Sequence, residues 1–201
     1  MNTPKPKQLQ PLKVTCTSTD CEHGLHCFRR KTRKAPLHGP CRECGVELVD
    51  WPRVHSRKLD DIGHTVQALQ QERIRHHFWH VEIDPRAVNH ARRKGASGVE
   101  AAVAKRLRTS IGGAEHPREG RQTPMKDNVI YYAQHATATC CRFCLEEWHG
   151  IPRGVDLRAD EILYLSAIVM TYVRARLPNL STQGEKVPPI RRVPTRRSNA
   201  A

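Results

Sequence analysis

The chain has 201 residues, with 34 Lys and Arg against 20 Asp and Glu and a formal charge of +14. That length allows one medium domain plus a small one, and the few aromatics argue against a large apolar core, so metal staples would help a small unit fold. No apolar leader opens the chain, and the longest apolar-rich stretch, Ile162 to Val173, is too short to span a bilayer; the sequence predicts a cytoplasmic protein with reduced thiols and no membrane partner.

Residues 1–13 are polar and proline-bearing and read as disordered. The unit 14–55 reads as a zinc ribbon. Cys41-Arg-Glu-Cys44-Gly45 is a knuckle, two thiols two residues apart and a turn-forming glycine, and zinc takes four such donors in a tetrahedron. Its upstream partners are read as Cys16 and Cys21, with Cys21 and Cys27, or His23 or His26, as competing choices. Leu25 to Arg30 then forms the first ribbon strand, and Arg29, Arg30, Lys31, Arg33 and Lys34 form a basic tip suited to phosphate.

Residues 56–111 form a helical linker region. Leu59, Ile62, Val66 and Leu69 line one face of a helix running to about His80. His76 and His80 lie one turn apart and read as surface or packing residues. Asp84-Pro85 caps a short helix that ends at Gly95, and another runs from about Val99 to Ser110. Gly112, Gly113, Pro117, Gly120 and Pro124 mark a loop into the last unit, 112–178.

In that unit Asn128 to Gln134 favours a short strand, and the segment after it predicts a helix to Trp148, ended by Gly150 and Pro152. A longer helix spans about Asp160 to Leu177, and the basic tail 179–201 reads as mobile or extended.

The chemistry concentrates in His135-Ala-Thr-Ala-Thr-Cys140-Cys141-Arg-Phe-Cys144-Leu-Glu-Glu-Trp-His149. Helical spacing puts Cys140 and Cys141 on one face with Cys144. A metal set of His135, Cys141, Cys144 and His149 follows, with Cys140 able to replace one of them. Three uses compete: a structural or ligand-binding metal, a catalytic metal or redox pair, and thiols packed as small hydrophobes. Glu146 and Glu147 are candidates for proton transfer beside a metal-bound water, and as plain helix-face residues. Thr137, Thr139 and Gln134 read as helix caps, with orientation of a ligand as the alternative.

Arg121-Gln-Thr-Pro-Met-Lys, Ala133-Gln-His-Ala-Thr-Ala-Thr-Cys-Cys-Arg142 and Cys144-Leu-Glu-Glu-Trp-His-Gly-Ile-Pro152 together resemble a family of small bacterial and phage proteins known as a domain of unknown function. The likeness covers about residues 100–178. It implies a domain boundary and brings no reaction, substrate or ligand.

The sequence thus predicts a mainly helical α+β chain, a small N-terminal zinc ribbon followed by a C-terminal helical Cys/His domain. The expected cofactor is zinc, held by Cys16, Cys21, Cys41 and Cys44 and by His135, Cys141, Cys144 and His149. The expected function is a metal-stabilised module that binds nucleic acid, DNA or RNA, within a larger complex with protein partners. The alternative is an enzyme, hydrolase or oxidoreductase, whose active centre lies in 135–149.

Overall fold

The computed structural model describes residues 12, 14–29, 37–115 and 123–190. Of the predicted basic tip, Arg30, Lys31, Arg33 and Lys34 lie outside these residues, as do the N-terminal segment up to residue 11, Arg121 and Gln122, and the tail from 191 onward. The described chain is mainly helical: α1 (Ser18–Glu22), α2 (Trp51–His55), α3 (Ile62–Gln70), α4 (Arg73–His80), α5 (Pro85–Ile111), α6 (Val129–Ala136), α7 (Arg142–His149) and α8 (Ala159–Arg176), with a 3-10 turn at Leu59–Asp61.

Among the described residues no strand forms, and a zinc ribbon is not seen. The extended pairing that exists is an isolated parallel bridge between His26 and Glu72. It explains why the helix expected from Ser56 to His80 is broken. The His26 amide donates to the Gln71 carbonyl at 2.8 Å, and the Arg73 amide donates to the His26 carbonyl at 2.8 Å. The N-terminal segment therefore takes up backbone groups at the α3–α4 junction that a continuous helix would have used.

Residues 129–136 form helix α6, where the sequence predicts a strand. Asn128 caps it by accepting from the Ile130 amide at 3.0 Å. Its branched and aromatic residues suit burial on several sides: Val129, Ile130, Tyr132, Ala133 and Ala136 are all buried. Tertiary burial outweighs a modest β preference. Around α6 pack α4, α5 and α8, with Phe78, Leu107, Leu165 and Tyr172 filling the space between them. The Tyr172 hydroxyl donates to the Phe78 carbonyl at 2.9 Å, satisfying a polar group inside the core.

The two short helices expected on either side of Gly95 are present; they follow one another across a non-helical break at Gly95 and are labelled together as α5. Asp84 caps it, accepting from the Ala87 amide at 2.9 Å. Gly95 has φ 67°, and a Cβ on it would lie 2.3 Å from the Gln183 carbonyl carbon. The kink frees two amides for the segment after α8: Ala96 donates to Ser181 O at 2.8 Å and Ser97 to Thr182 O at 3.1 Å. Arg92 and Glu185 add an ion pair at 2.6 Å. The part of the tail up to residue 190 is extended, as expected, and is fastened along α5.

Candidate metal centres

The N-terminal centre is assembled by three local devices. Thr17 and Asp20 form a capping box that starts α1 and places Cys21 on it. Gly45, with φ 74°, closes the knuckle as its amide donates to the Cys41 carbonyl at 2.9 Å. The bridge at Glu72 brings His26 in from the other side. The sulfurs of Cys16 and Cys41 lie 3.6 Å apart, Cys21 and Cys16 3.7 Å, and Cys21 and Cys41 3.8 Å. A tetrahedral ion with metal–sulfur bonds of about 2.3 Å needs donor spacings of about 3.8 Å. Cys44 Sγ sits 3.5 Å from His26 Nδ1, and Cys21, His26, Cys41 and Cys44 form one mutually close donor group.

Five donors therefore stand close together where zinc needs four; the mutually close group takes His26 in place of the predicted Cys16, whose sulfur lies beside those of Cys21 and Cys41. All four predicted cysteines are among them, and so is His26. Cys27 is outside the group and fully buried; burial pushes its thiol up, as for a packed small hydrophobe. Burial alone would also raise Cys41, but the amides of Cys27, Cys44 and Glu43 bring it down to about 5. This thiol is already prepared to bind as thiolate. The donor chemistry fits a soft divalent ion.

The second centre differs from its sequence reading in which donors meet. Cys140, Cys141 and Cys144 form one group, with Cys140 and Cys144 sulfurs 3.4 Å apart. The predicted histidines face elsewhere. His135 Nε2 meets the Thr123 carbonyl at 3.0 Å, and its ring stacks on Phe78 at 4.6 Å. His149 Nε2 meets the Thr137 carbonyl at 2.9 Å, and this ring is fully buried. The imidazoles thus fasten the loops around the thiols, while Cys140 stands with Cys141 and Cys144. Helical spacing shows that Cys140 and Cys144 share a face; the orientation of a histidine before or after the helix has no such local rule.

The loop that presents Cys140 is held from several directions. Ala138 has φ 54°, and the Gln134 amide donates to the Thr139 carbonyl at 2.9 Å. Thr123 donates to the Cys140 carbonyl at 2.8 Å. Gln134 in turn accepts from Arg106 at 2.6 Å. Cys141 is the residue before α7, in extended conformation, and the Cys144 amide helps lower its thiol.

Beneath the thiols lies a buried polar hub that sequence reading missed. Arg75 donates to Glu72 at 2.9 Å, to the His135 carbonyl at 2.8 Å and to Cys144 Sγ at 3.2 Å. Glu72 also accepts from Trp148 Nε1 at 2.8 Å. Burial pushes Glu72 up, against the pull of Arg75. Burial also works against the charge on Arg75, but Cys144 and Glu72 hold it well above its ordinary range. An Arg three residues after a Glu on a helix is ordinarily a surface pair, so no local signal marks this one. Hydrogen bonds from Cys140 and Cys144 pull Cys141 strongly down, and donating to Cys141 and Cys144 raises Cys140. Without a bound ion, the group thus favours an uneven distribution of charge among its thiols.

All three thiols line a cavity of about 670 Å³. Its walls include Phe28, Trp51 and Trp148, and Glu147 faces into it one turn after Cys144. Glu146, the other candidate for proton transfer, pairs with Arg153 at 3.1 Å on the outside. The N-terminal unit contributes to this cavity through Phe28, whose ring meets Trp148 edge-on at 6.0 Å. Three soft donors on a cavity wall fit a metal ion that keeps one position toward the space; among the described residues their close donor group has three members.

His76 and His80 stack at 3.9 Å on the outer face of α4, in line with the packing role expected of them. Among the described residues no helix is long and apolar enough to cross a membrane. A family profile described as "Domain of unknown function (DUF4186)" matches residues 63–174, more than half of the chain and starting well before the expected residue 100. No solved structure matches the chain.

Proposed function

We propose that this chain, which belongs to the DUF4186 family, is a zinc protein with two unlike centres, one structural and one open for chemistry. The N-terminal donors, Cys16, Cys21, Cys41 and Cys44 with His26 beside them, hold a closed ion that organises residues 14–55. The second ion is held by Cys140, Cys141 and Cys144 and keeps a position for water or a ligand atom. The single observation that carries this reading is that all three thiols line the same 670 Å³ cavity. A structural site is normally four-coordinate and closed, whereas a catalytic one has three protein ligands and an open position.

A zinc ion there would supply Lewis acidity and a more acidic water. The protein's own part is to restrict access, to place Glu147 at the cavity wall for proton transfer, and to direct the Arg75 guanidinium at Cys144. That contact withdraws charge from a thiolate ligand and so favours the electrophilic character of the centre. With a metal at the thiols and Glu147 on the cavity wall, the reaction this centre would serve is hydrolytic; without the metal, the three adjacent thiols would serve redox chemistry. Cobalt(II) substitution tests it, because its visible bands respond to the fourth ligand. Added azide or cyanide is expected to change the bands of the loaded protein and to leave those of a Cys140→Ser/Cys141→Ser/Cys144→Ser variant unaltered. A wild-type spectrum indifferent to both anions would overturn the open site.

The expected binding of nucleic acid is a second reading, supported by the charge of +14 and by Arg29, which lines the cavity and opens the basic run 29–34. If about five phosphate contacts form, log K falls against log salt with a slope of about −4 to −5. Affinity for duplex or single strands that ignores salt would exclude it. Cytoplasmic residence in reducing conditions suits both readings, since each needs free thiols.

A further inference from the structure

The cavity beside the thiols has a chemical character of its own, apart from the metal. Phe28, Trp51 and Trp148 form one aromatic cluster: Trp51 and Trp148 lie 5.2 Å apart, and Phe28 meets Trp51 edge-on at 6.1 Å. At the rim, two guanidinium groups lie near the Phe143 ring, with Arg29 Cζ 4.7 Å and Arg153 Cζ 5.9 Å from its centre. The cations deeper in the wall are committed elsewhere, Arg75 to Glu72 and Cys144, and Arg142 to the carbonyls of Ile111, Pro152 and Val155; at the mouth Arg153 is paired with Glu146 at 3.1 Å, which leaves Arg29 as the leading cation there. An aromatic interior thus opens through a basic, aromatic-bearing mouth. The volume lies within the range of about 300–1,000 Å³ typical of small-molecule sites.

We infer that this cavity is a nucleotide site. A planar base would lie against the face of this packed aromatic cluster and present its polar edge to the thiol-lined floor, while its phosphate would meet Arg29 beside Phe143. Stacking and guanidinium contacts are the two ways proteins hold unpaired nucleotides without reading a duplex. The inference rests on the open-centre reading for what the base would face, and the aromatic walls and basic mouth carry it independently of the metal. The nucleotide could be free or part of a strand; both present the same ring and phosphate.

Trp51 and Trp148 line the cavity, whereas Trp79 packs on Tyr172 at 4.9 Å, so intrinsic fluorescence reads occupancy. The zinc-loaded full chain is titrated with CMP and GMP, with the matching nucleosides, with inorganic phosphate, and with a single-stranded hexamer. Saturable quenching by at least one monophosphate is expected, about tenfold weaker for its nucleoside, which corresponds to about 1.4 kcal/mol. Phe143→Ala and Arg29→Ala should each weaken it about fivefold or more with metal content unchanged. Hexamer binding at least tenfold tighter than the monophosphate, with a steep salt dependence, assigns the nucleotide to a strand; equal or weaker binding assigns it to a free metabolite. Quenching by phosphate alone, or no saturable response to either nucleotide below about 10 mM, overturns the inference. Zinc analysis of the same samples separates this failure from that of the open centre, which would appear as metal missing from the thiols.

Discussion

Glu72 is the residue on which the buried hub depends, and Glu72→Gln isolates its charge. The substitution keeps an acceptor for Trp148 Nε1, now 2.8 Å away, and removes the counter-charge of Arg75, whose Nε lies 2.9 Å from the carboxylate. Both side chains are almost fully buried, at 3% and 7% exposure. Arg75 cannot shed its proton. Breaking a buried pair in this way costs about 3–5 kcal/mol, because the guanidinium loses its carboxylate and keeps only Cys144 Sγ, 3.2 Å away, as a negative neighbour. With a urea m-value of about 3 kcal/mol/M, the unfolding midpoint of the zinc-loaded protein should fall by about 1–1.7 M. Tryptophan fluorescence follows the transition. Adding Arg75→Met should make the double variant no less stable than Glu72→Gln alone, since the stranded charge is gone. A midpoint shift below about 0.3 M at unchanged m would show that Arg75 does not depend on this carboxylate, and the description of the hub would be wrong.

Two further outcomes follow from other parts of the fold. Burial pushes His149 down to about 4, so the folded protein excludes a proton that the unfolded chain binds near pH 6.5. The stabilisation is complete above about pH 6.5 and is lost as pH falls toward 4, amounting to about 3 kcal/mol; His149→Gln should flatten this acid limb in chelator-treated protein, and an unchanged limb would refute it. Gly95→Ala forces a Cβ into the Gln183 backbone at a φ of 67°. It should destabilise by about 1–3 kcal/mol and expose residues 181–190 to limited proteolysis, and an unaltered cleavage pattern would contradict the fastening of that segment.

What was legible in the sequence was chemistry at fixed short spacings. The Cys41–Cys44 knuckle and the Cys140/Cys141/Cys144 cluster could be found because helical and turn geometry brings such neighbours together whatever the surrounding fold. The amphipathic pattern gave α3 and α8, and Asp84-Pro85 gave the start of α5. Long-range features were not legible. The strand predicted at 128–134 is a helix because burial among α4, α5 and α8 decided it. Among the described residues no ribbon strand forms, and residue 26 pairs instead with residue 72, across a separation no local pattern reports. Gly95 interrupts the helix as expected, but no local pattern reports that residues 181–184 fill the gap beside it. Glu72 and Arg75 look like a solvated pair, and Phe28, Trp51 and Phe143 like scattered hydrophobics, until the chain brings them around one cavity.

The account depends on ions held at both cysteine groups, and elemental analysis of the purified full chain tests this most directly. Two zinc equivalents are predicted for the wild type, one for the Cys140→Ser/Cys141→Ser/Cys144→Ser variant, and one, at the thiols of the cavity, for Cys41→Ser/Cys44→Ser. A triple variant that retains both equivalents, or a wild type whose only metal disappears with Cys41 and Cys44, would contradict it.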